Sequence, residues 1–318
     1  MDATRPARWK ILLAFAIIYF VWGSTYLAIR IGVLEMPPFL MAGIRFFVAG
    51  AAMLAWLGIT GTSFPTGGEW RGATLLGALM FLLDYACLFW SEQRIPSGPA
   101  AVIIAMIPAC ITLLEITFLR TQSFSARLVG GLVLGLLGVG VLANPWASLG
   151  EAPLDRGGIV ALLVACVGWS VGTVVTKRLV LPASKAMSAA AQMFTGGIML
   201  LILAGVSGEL RNFHPEVISA KAWFSLIYLI VAGSIVAFTA YVWLLHYESP
   251  TRVGTYAYVN PVVAVILGGA LGGETIGLRT LLGMALILLS VAAIATVKAK
   301  HAQPATAAEH SSPRAVTD

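Results

Sequence analysis

Arg45 and Asp84 are the residues best placed, by type and position, to do chemistry in this chain. Each lies about three residues from the middle of a long apolar stretch, so both sit ~5 Å from the midplane of a bilayer that those stretches cross. An isolated charge at that depth costs about 2.5–3.5 kcal/mol on the insertion scale. Both side chains are therefore expected to face protein or a wet cavity. Their similar depth permits a salt bridge locking the second and third stretches. Alternatively, Asp84 holds a proton or a substrate amine, or it is solvated and dispensable. Glu115 lies ~10 Å from the midplane on the cytoplasmic side, near Arg120 and Arg127, and is either a snorkelling, paired structural residue or a gate.

Aromatic and amide groups supply a second set. Trp22 and Trp169 fall near the middle of their stretches, where the interfacial aromatic belt does not explain them. They are either packed core or the wall of a substrate cavity. Tyr26, Tyr241, Tyr256 and Tyr258 can add hydroxyls and Asn260 an amide. Apolar walls with a few polar anchors suit a small amphiphilic or aromatic metabolite. Pro108 and Pro261 each delete a helix hydrogen bond and free a carbonyl, and Asn260 can meet such a carbonyl or a ligand. They are static kinks or hinges.

Other chemistries lack their residues. There is no HExxH, no glycine-rich nucleotide loop and no GxSxG. His214, His246, His301 and His310 pair with no acids at metal-ligand spacing. The expectation is no metal, no cofactor and no enzymatic activity; an intramembrane enzyme would need a nucleophile–base or paired acidic constellation. ATP drive is unsupported, which leaves a substrate gradient, a proton or another ion. Cys87, Cys110 and Cys166 all fall in apolar stretches and read as packed thiols.

The elements that carry these residues follow from composition. Of 318 residues 59% are apolar and only 11% charged, against about 25% charged in a soluble domain. With a mean hydropathy of +0.90, this excludes a soluble enzyme or a DNA-binding domain as a reading of the whole chain. The net charge of +6 comes without the dense basic run that a nucleic-acid partner needs. Hydropathy predicts ten membrane helices near 10–30, 38–59, 71–90, 97–119, 127–144, 157–177, 186–206, 222–245, 252–272 and 278–297. Unbroken apolar runs without alternation exclude a β-barrel. With the N-terminus inside, 13 Lys and Arg lie on the inner side and 6 on the outer, which favours both termini in the cytoplasm. Residues 298–318 read as a disordered cytoplasmic tail and 1–9 as a cytoplasmic N-terminus. Gly131-x-x-x-Gly135, Gly168-x-x-x-Gly172 and Gly268-x-x-x-Gly272 allow close helix packing, within the chain first and between copies as the weaker option. Monomer and homodimer both stay open.

The chain also repeats. A shift of 147 puts Trp22 on Trp169, Arg30 on Lys177, Arg45 on Gln192 and Gly50 on Gly197. A shift of 153 puts Trp90 on Trp243, Pro108 on Pro261 and Gly130 on Gly283. The difference fits a longer loop near 209–220. Two repeats, 10–144 and 157–297, joined by a loop at 145–156, would each hold five helices. An odd number inverts the second copy, which is a transporter design.

Trp22-Gly23-Ser24-Thr25-Tyr26, Pro37-Pro38, Arg45-Phe46, and Pro96-Ser97-Gly98 with Pro108 resemble the first repeat of the EamA-type transporters of the drug/metabolite transporter superfamily. Tyr256 through Val265, with Asn260-Pro261 at its centre, and Gly272-Gly273-Glu274-Thr275 resemble the second. The chain is similar over about 10–297, nearest the YedA-like branch. The resemblance implies ten helices in an inner membrane, a central cavity, and transport of small metabolites, often outward. An uncoupled facilitator and a non-transporting scaffold are the rivals. Two departures stand out: Arg120-Thr121 replaces the Gly-Glu expected in the first repeat, and Asp84 stands where a neutral residue is expected.

Overall fold

The structure is a computed structural model and describes residues 6–118, 126–143, 153–248, 253 and 255–301. All regular elements among them are helical. They are α1 (Arg8–Val33), α2 (Pro38–Ile59), α3 (Gly67–Leu76 and Asp84–Glu92 around a π-helical stretch, Gly77–Leu83), α4 (Ser97–Ile104), α5 (Ile107–Thr117) and α6 (Ala126–Ala143). A second set follows: α7 (Arg156–Val175), α8 (Lys185–Val206), α9 (Ala220–Tyr228 and Ala237–Tyr247 around a π-helical stretch, Leu229–Val236), α10 (Tyr256–Leu271) and α11 (Leu278–His301). With α4 and α5 taken as one, seven helices are long and apolar enough to cross a membrane; three shorter apolar helices, Ala126–Leu142, Tyr256–Leu271 and Leu278–Ala293, accompany them. Apolar side chains such as Phe20, Trp56, Leu136, Ile202, Phe224 and Ile266 point outward, as a lipid-facing surface requires. The expected tail lies mostly outside the described residues, as do most of the loop at 145–156 and the side chain of Glu115.

Helix ends follow local chemistry. Thr66 and Glu69 form a reciprocal capping box on α3. The Asp155 carboxylate accepts from Gly158 N on α7, at 2.7 Å, and the Ser184 hydroxyl accepts from Met187 N on α8. Gly273, at φ 66°, ends α10 in the left-handed conformation that glycine adopts without strain.

The prolines act differently in the two sets. Proline clashes with the carbonyl four residues earlier and cannot bond to it. For Pro108 that carbonyl belongs to Ile104, and there α4 ends; α5 begins at Ile107. For Pro261 it belongs to Ala257, the second residue of α10, and the helix runs on unbroken.

The sets pack with a regular exchange. α2 packs on α8, α6 on α11 and α4 on α10; α1 packs on α9 and α10, while α7 packs on α3, α4 and α5. Exchanging α1, α2, α3, α4–α5 and α6 with α7, α8, α9, α10 and α11 maps these contacts onto one another. The α2–α8 crossing is backbone-close. A Cβ on Gly50 would lie 2.4 Å from Phe194 N, and one on Gly197 would lie 2.3 Å from Phe47 N. These glycines are the pair related by the 147-residue shift. Gly168 and Gly172 pack on Leu79, Met80 and Leu83 of α3, inside the chain.

Candidate functional site

Arg45 projects from α2 and is buried, at 2% exposure. Its Nε donates to Ser234 Oγ of α9 at 3.0 Å. The guanidinium lies over the rings of Phe46, at 4.6 Å, and Tyr85, at 5.3 Å. A flat, weakly hydrated guanidinium suits such faces better than an ammonium would. Its Nη1 has no hydrogen-bond partner.

Asp84 opens the last segment of α3, directly after the π-helical stretch. It is 4% exposed, and its Oδ1 has no partner. The carboxyl bears electrostatically on Tyr26, Tyr85 and Cys166. It makes no ion pair with Arg45. Depth along the axis permitted that pair, but Arg45 turns to α9 instead. The α3 π-helical stretch also sets the face of Asp84, which α-helical periodicity does not track.

The tryptophans occupy matching places. Trp22 lies 6.5 Å from Phe238, centroid to centroid, and Trp169 lies 6.4 Å from Tyr85. Phe238 and Tyr85 are themselves related by the 153-residue shift. Trp22 Nε1 donates to Gly233 O at 3.1 Å, inside the π-helical stretch of α9. Its ring also meets Tyr241 at 5.3 Å and Tyr256 at 4.9 Å. Trp22, Tyr241 and Tyr256 thus form one cluster, while Trp169 belongs with Tyr85. Tyr26 is half-buried on α1 and packs against the main core. Ser24 and Tyr228 share a 2.6 Å hydrogen bond between α1 and α9. Asn260 is buried; with its amide nitrogen turned to donate, it reaches the carbonyls of Tyr19 and Tyr256, each at 3.2 Å. It ties α10 to α1 and not to the Ala257 carbonyl freed by Pro261.

Glu92 escaped the sequence reading. The apolar stretch ends near residue 90, and Ser91-Glu92-Gln93-Arg94 resembles a loop. The helix runs on to Glu92, which is fully buried with neither carboxyl oxygen partnered. Arg30 donates from Nη1 to the Glu92 carbonyl. Pro96 was the available signal, since a helix commonly stops a few residues before a proline.

Around the same helix ends lies a cavity of about 440 Å³, lined among others by Leu27, Arg30, Glu35, Lys221, Glu274 and Thr275. None of the expected cavity residues lines it. Two loop carboxylates at this end differ. The Ser219 N–H and then its hydroxyl, with Lys221 nearby, hold Glu35 below its ordinary pKa. Burial pushes Glu209 up, although the N–H groups of Leu40 and Phe39 oppose it. Among the described residues no group of three or more His, Cys, Asp or Glu is set to hold a metal.

Comparisons with known proteins agree with this architecture. The EamA-like transporter family matches twice, over residues 8–144 and 156–296. The inner membrane transporter YedA of Escherichia coli K12 is 36% identical over 277 residues, which is 86% of this chain and 87% of YedA. Protein PecM of Dickeya dadantii is 28% identical over 265 residues, covering 81% and 84% of the two chains. A solved crystal structure at 22% identity shares the fold with a TM-score of 0.60, covering 94% of this chain and all of that one. With membrane-length helices, a double family match and a relative above one-third identity, the chain belongs to the EamA-like transporter family of the drug/metabolite transporter superfamily and is a membrane transporter.

Proposed function

We propose that the protein is a secondary transporter that exports a small organic metabolite, an amino acid or a related amphiphile, by alternating access. Two inverted five-helix repeats, ten helices in all, move against each other, with both termini in the cytoplasm. The exchange of helix contacts between the two sets supports the repeat, and the excess of Lys and Arg on one side supports the orientation.

One observation carries the substrate reading. Arg45 and Asp84 are buried groups of opposite sign that do not pair, and each keeps a polar atom without a partner. Buried polar atoms are nearly always satisfied, so exceptions point to a ligand or water. A zwitterion offers a partner to each: its carboxylate would take the Arg45 Nη1 donor and its ammonium Asp84. Trp22, Tyr26, Trp169, Tyr241, Tyr256 and Asn260 supply aromatic and amide surroundings, and Pro108 and Pro261 the hinge points. A proton on Asp84 competes with the ammonium, which couples export to proton entry. At 100 mV each charge moved supplies about 2.3 kcal/mol, enough for a gradient of nearly fiftyfold.

The test is uptake and counterflow in proteoliposomes with a panel of labelled amino acids, with and without an imposed proton gradient. Transport that the gradient accelerates in wild type but not in Asp84→Asn is expected. Transport indifferent to the gradient would leave a facilitator. Full pH-dependent transport in Asp84→Asn would remove Asp84 from the mechanism.

A further inference from the structure

Three carboxylates at one end of the bundle each hold the start of a helix of the other set: Glu209 and Glu274 cap first-turn N–H groups, and Glu35 holds Ser219, whose own hydroxyl accepts from Ala222 N of α9. Glu35, between α1 and α2, accepts from Ser219 N and Ser219 Oγ, both at 2.7 Å, at the start of α9. Glu209, between α8 and α9, accepts from Leu40 N at 2.8 Å and Phe39 N at 3.3 Å in the first turn of α2. Glu274, between α10 and α11, accepts from Ser97 N at 2.7 Å and Gly98 N at 3.1 Å in the first turn of α4. The caps described on α3, α7 and α8 come instead from residues beside the helix they serve, Thr66 with Glu69, Asp155 and Ser184.

A helix N-terminus carries orphan N–H donors and a partial positive charge, so a carboxylate is a strong partner there. It is also replaceable, because water can take over the same donors when the carboxylate withdraws. Bonds with both properties can hold two bodies together in one state and release them in another. Glu35 and Glu274 line the 440 Å³ cavity, whose wall includes Leu27 and Arg30 of α1. Parting these caps would widen that cavity toward Arg30 and the buried Glu92.

We infer that Glu35, Glu209 and Glu274 are positioning residues of the transport cycle, which clasp this end shut by holding helix starts across the two sets. The inference rests on the alternating-access reading, but its test needs no substrate. In a background with Cys87, Cys110 and Cys166 replaced by alanine, Leu27→Cys reports on the clasped end. Ala14→Cys, buried in the separate cluster with Leu244 and Val253, reports on the other. Maleimide labelling is followed in nanodiscs, where reagent reaches both faces.

Each of Glu35→Ala, Glu209→Ala and Glu274→Ala is expected to speed labelling of Leu27→Cys about tenfold and to slow that of Ala14→Cys. The Glu→Gln variants keep one acceptor oxygen and should shift both rates less, in the same directions. They also serve where an alanine variant fails to fold. Unchanged labelling at Leu27→Cys overturns the inference, and so does faster labelling at both ends, which is a loosened fold. A reciprocal shift in a protein that moves no amino acid upholds the clasp and overturns only the substrate reading.

Discussion

Where α2 crosses α8 the two sets of helices touch through backbone; where α1 and α2 face α9 they touch through polar side chains. The first contact is dry and closed. Gly50 and Gly197 leave no room for a Cβ on either side, and Phe47 stacks on Phe194 at 5.3 Å. The second is incompletely satisfied. Arg45, Trp22 and Ser24 each bond to α9, yet Arg45 keeps a free Nη1. One contact is therefore closed by backbone and the other leaves a buried donor without a partner.

The largest effect should come from disturbing the dry contact. Gly50→Leu or Gly197→Leu must displace backbone, costing about 3 kcal/mol or the fold itself. Melting temperature and yield of monodisperse protein in detergent measure it. A stable Gly197→Leu protein would erase the contrast. Arg45→Met should do the reverse. It keeps much of the volume and removes the charge, so transport falls about 10- to 100-fold while the melting temperature holds. Asp84→Asn should lose proton dependence with about a tenfold drop in transport. Its stability should stay equal or rise, because a buried unpartnered carboxyl has gone.

Trp22→Phe sharpens the comparison more finely. It keeps the ring contacts but loses the bond to Gly233 O, worth about 1 kcal/mol, read by melting temperature. Glu35 gives the smallest effect, and its sign is fixed. Its folded pKa is lowered, so its stabilisation is present above the ordinary glutamate range and fades as pH falls through the lowered value. Melting curves of wild type should approach those of Glu35→Gln between about pH 6 and pH 3.

Much of this was legible in the residues. Each of the ten apolar stretches meets a helix, since hydropathy reports which backbone must bond to itself in lipid. Two of the matched residue pairs were legible too: Trp22 with Trp169 and Gly50 with Gly197 make corresponding contacts in the packing. The burial of Arg45 and Asp84 was legible, but their surroundings were not. Depth follows from counting along an axis, whereas the face a side chain takes depends on turns that the counting assumes to be regular. Glu92 was hidden by a polar run that looked like a loop. Glu274 drew notice only as part of a motif; its work as a cap on α4 needed the contact between sequence positions 177 apart.

The two π-helical stretches have a rotational consequence. A wide turn holds one residue more than an α-helical one, and each residue advances a helix by about 100°. Everything beyond Gly77–Leu83, Asp84 first of all, is therefore swung by about that angle from where an unbroken helix would aim it. Deleting a single residue from that stretch would leave the composition and depth of α3 almost unchanged. It would nevertheless turn Asp84 and Tyr85 toward different neighbours. The direction in which Asp84 points is thus written partly as an angle, stored in seven residues of backbone that carry no charge at all.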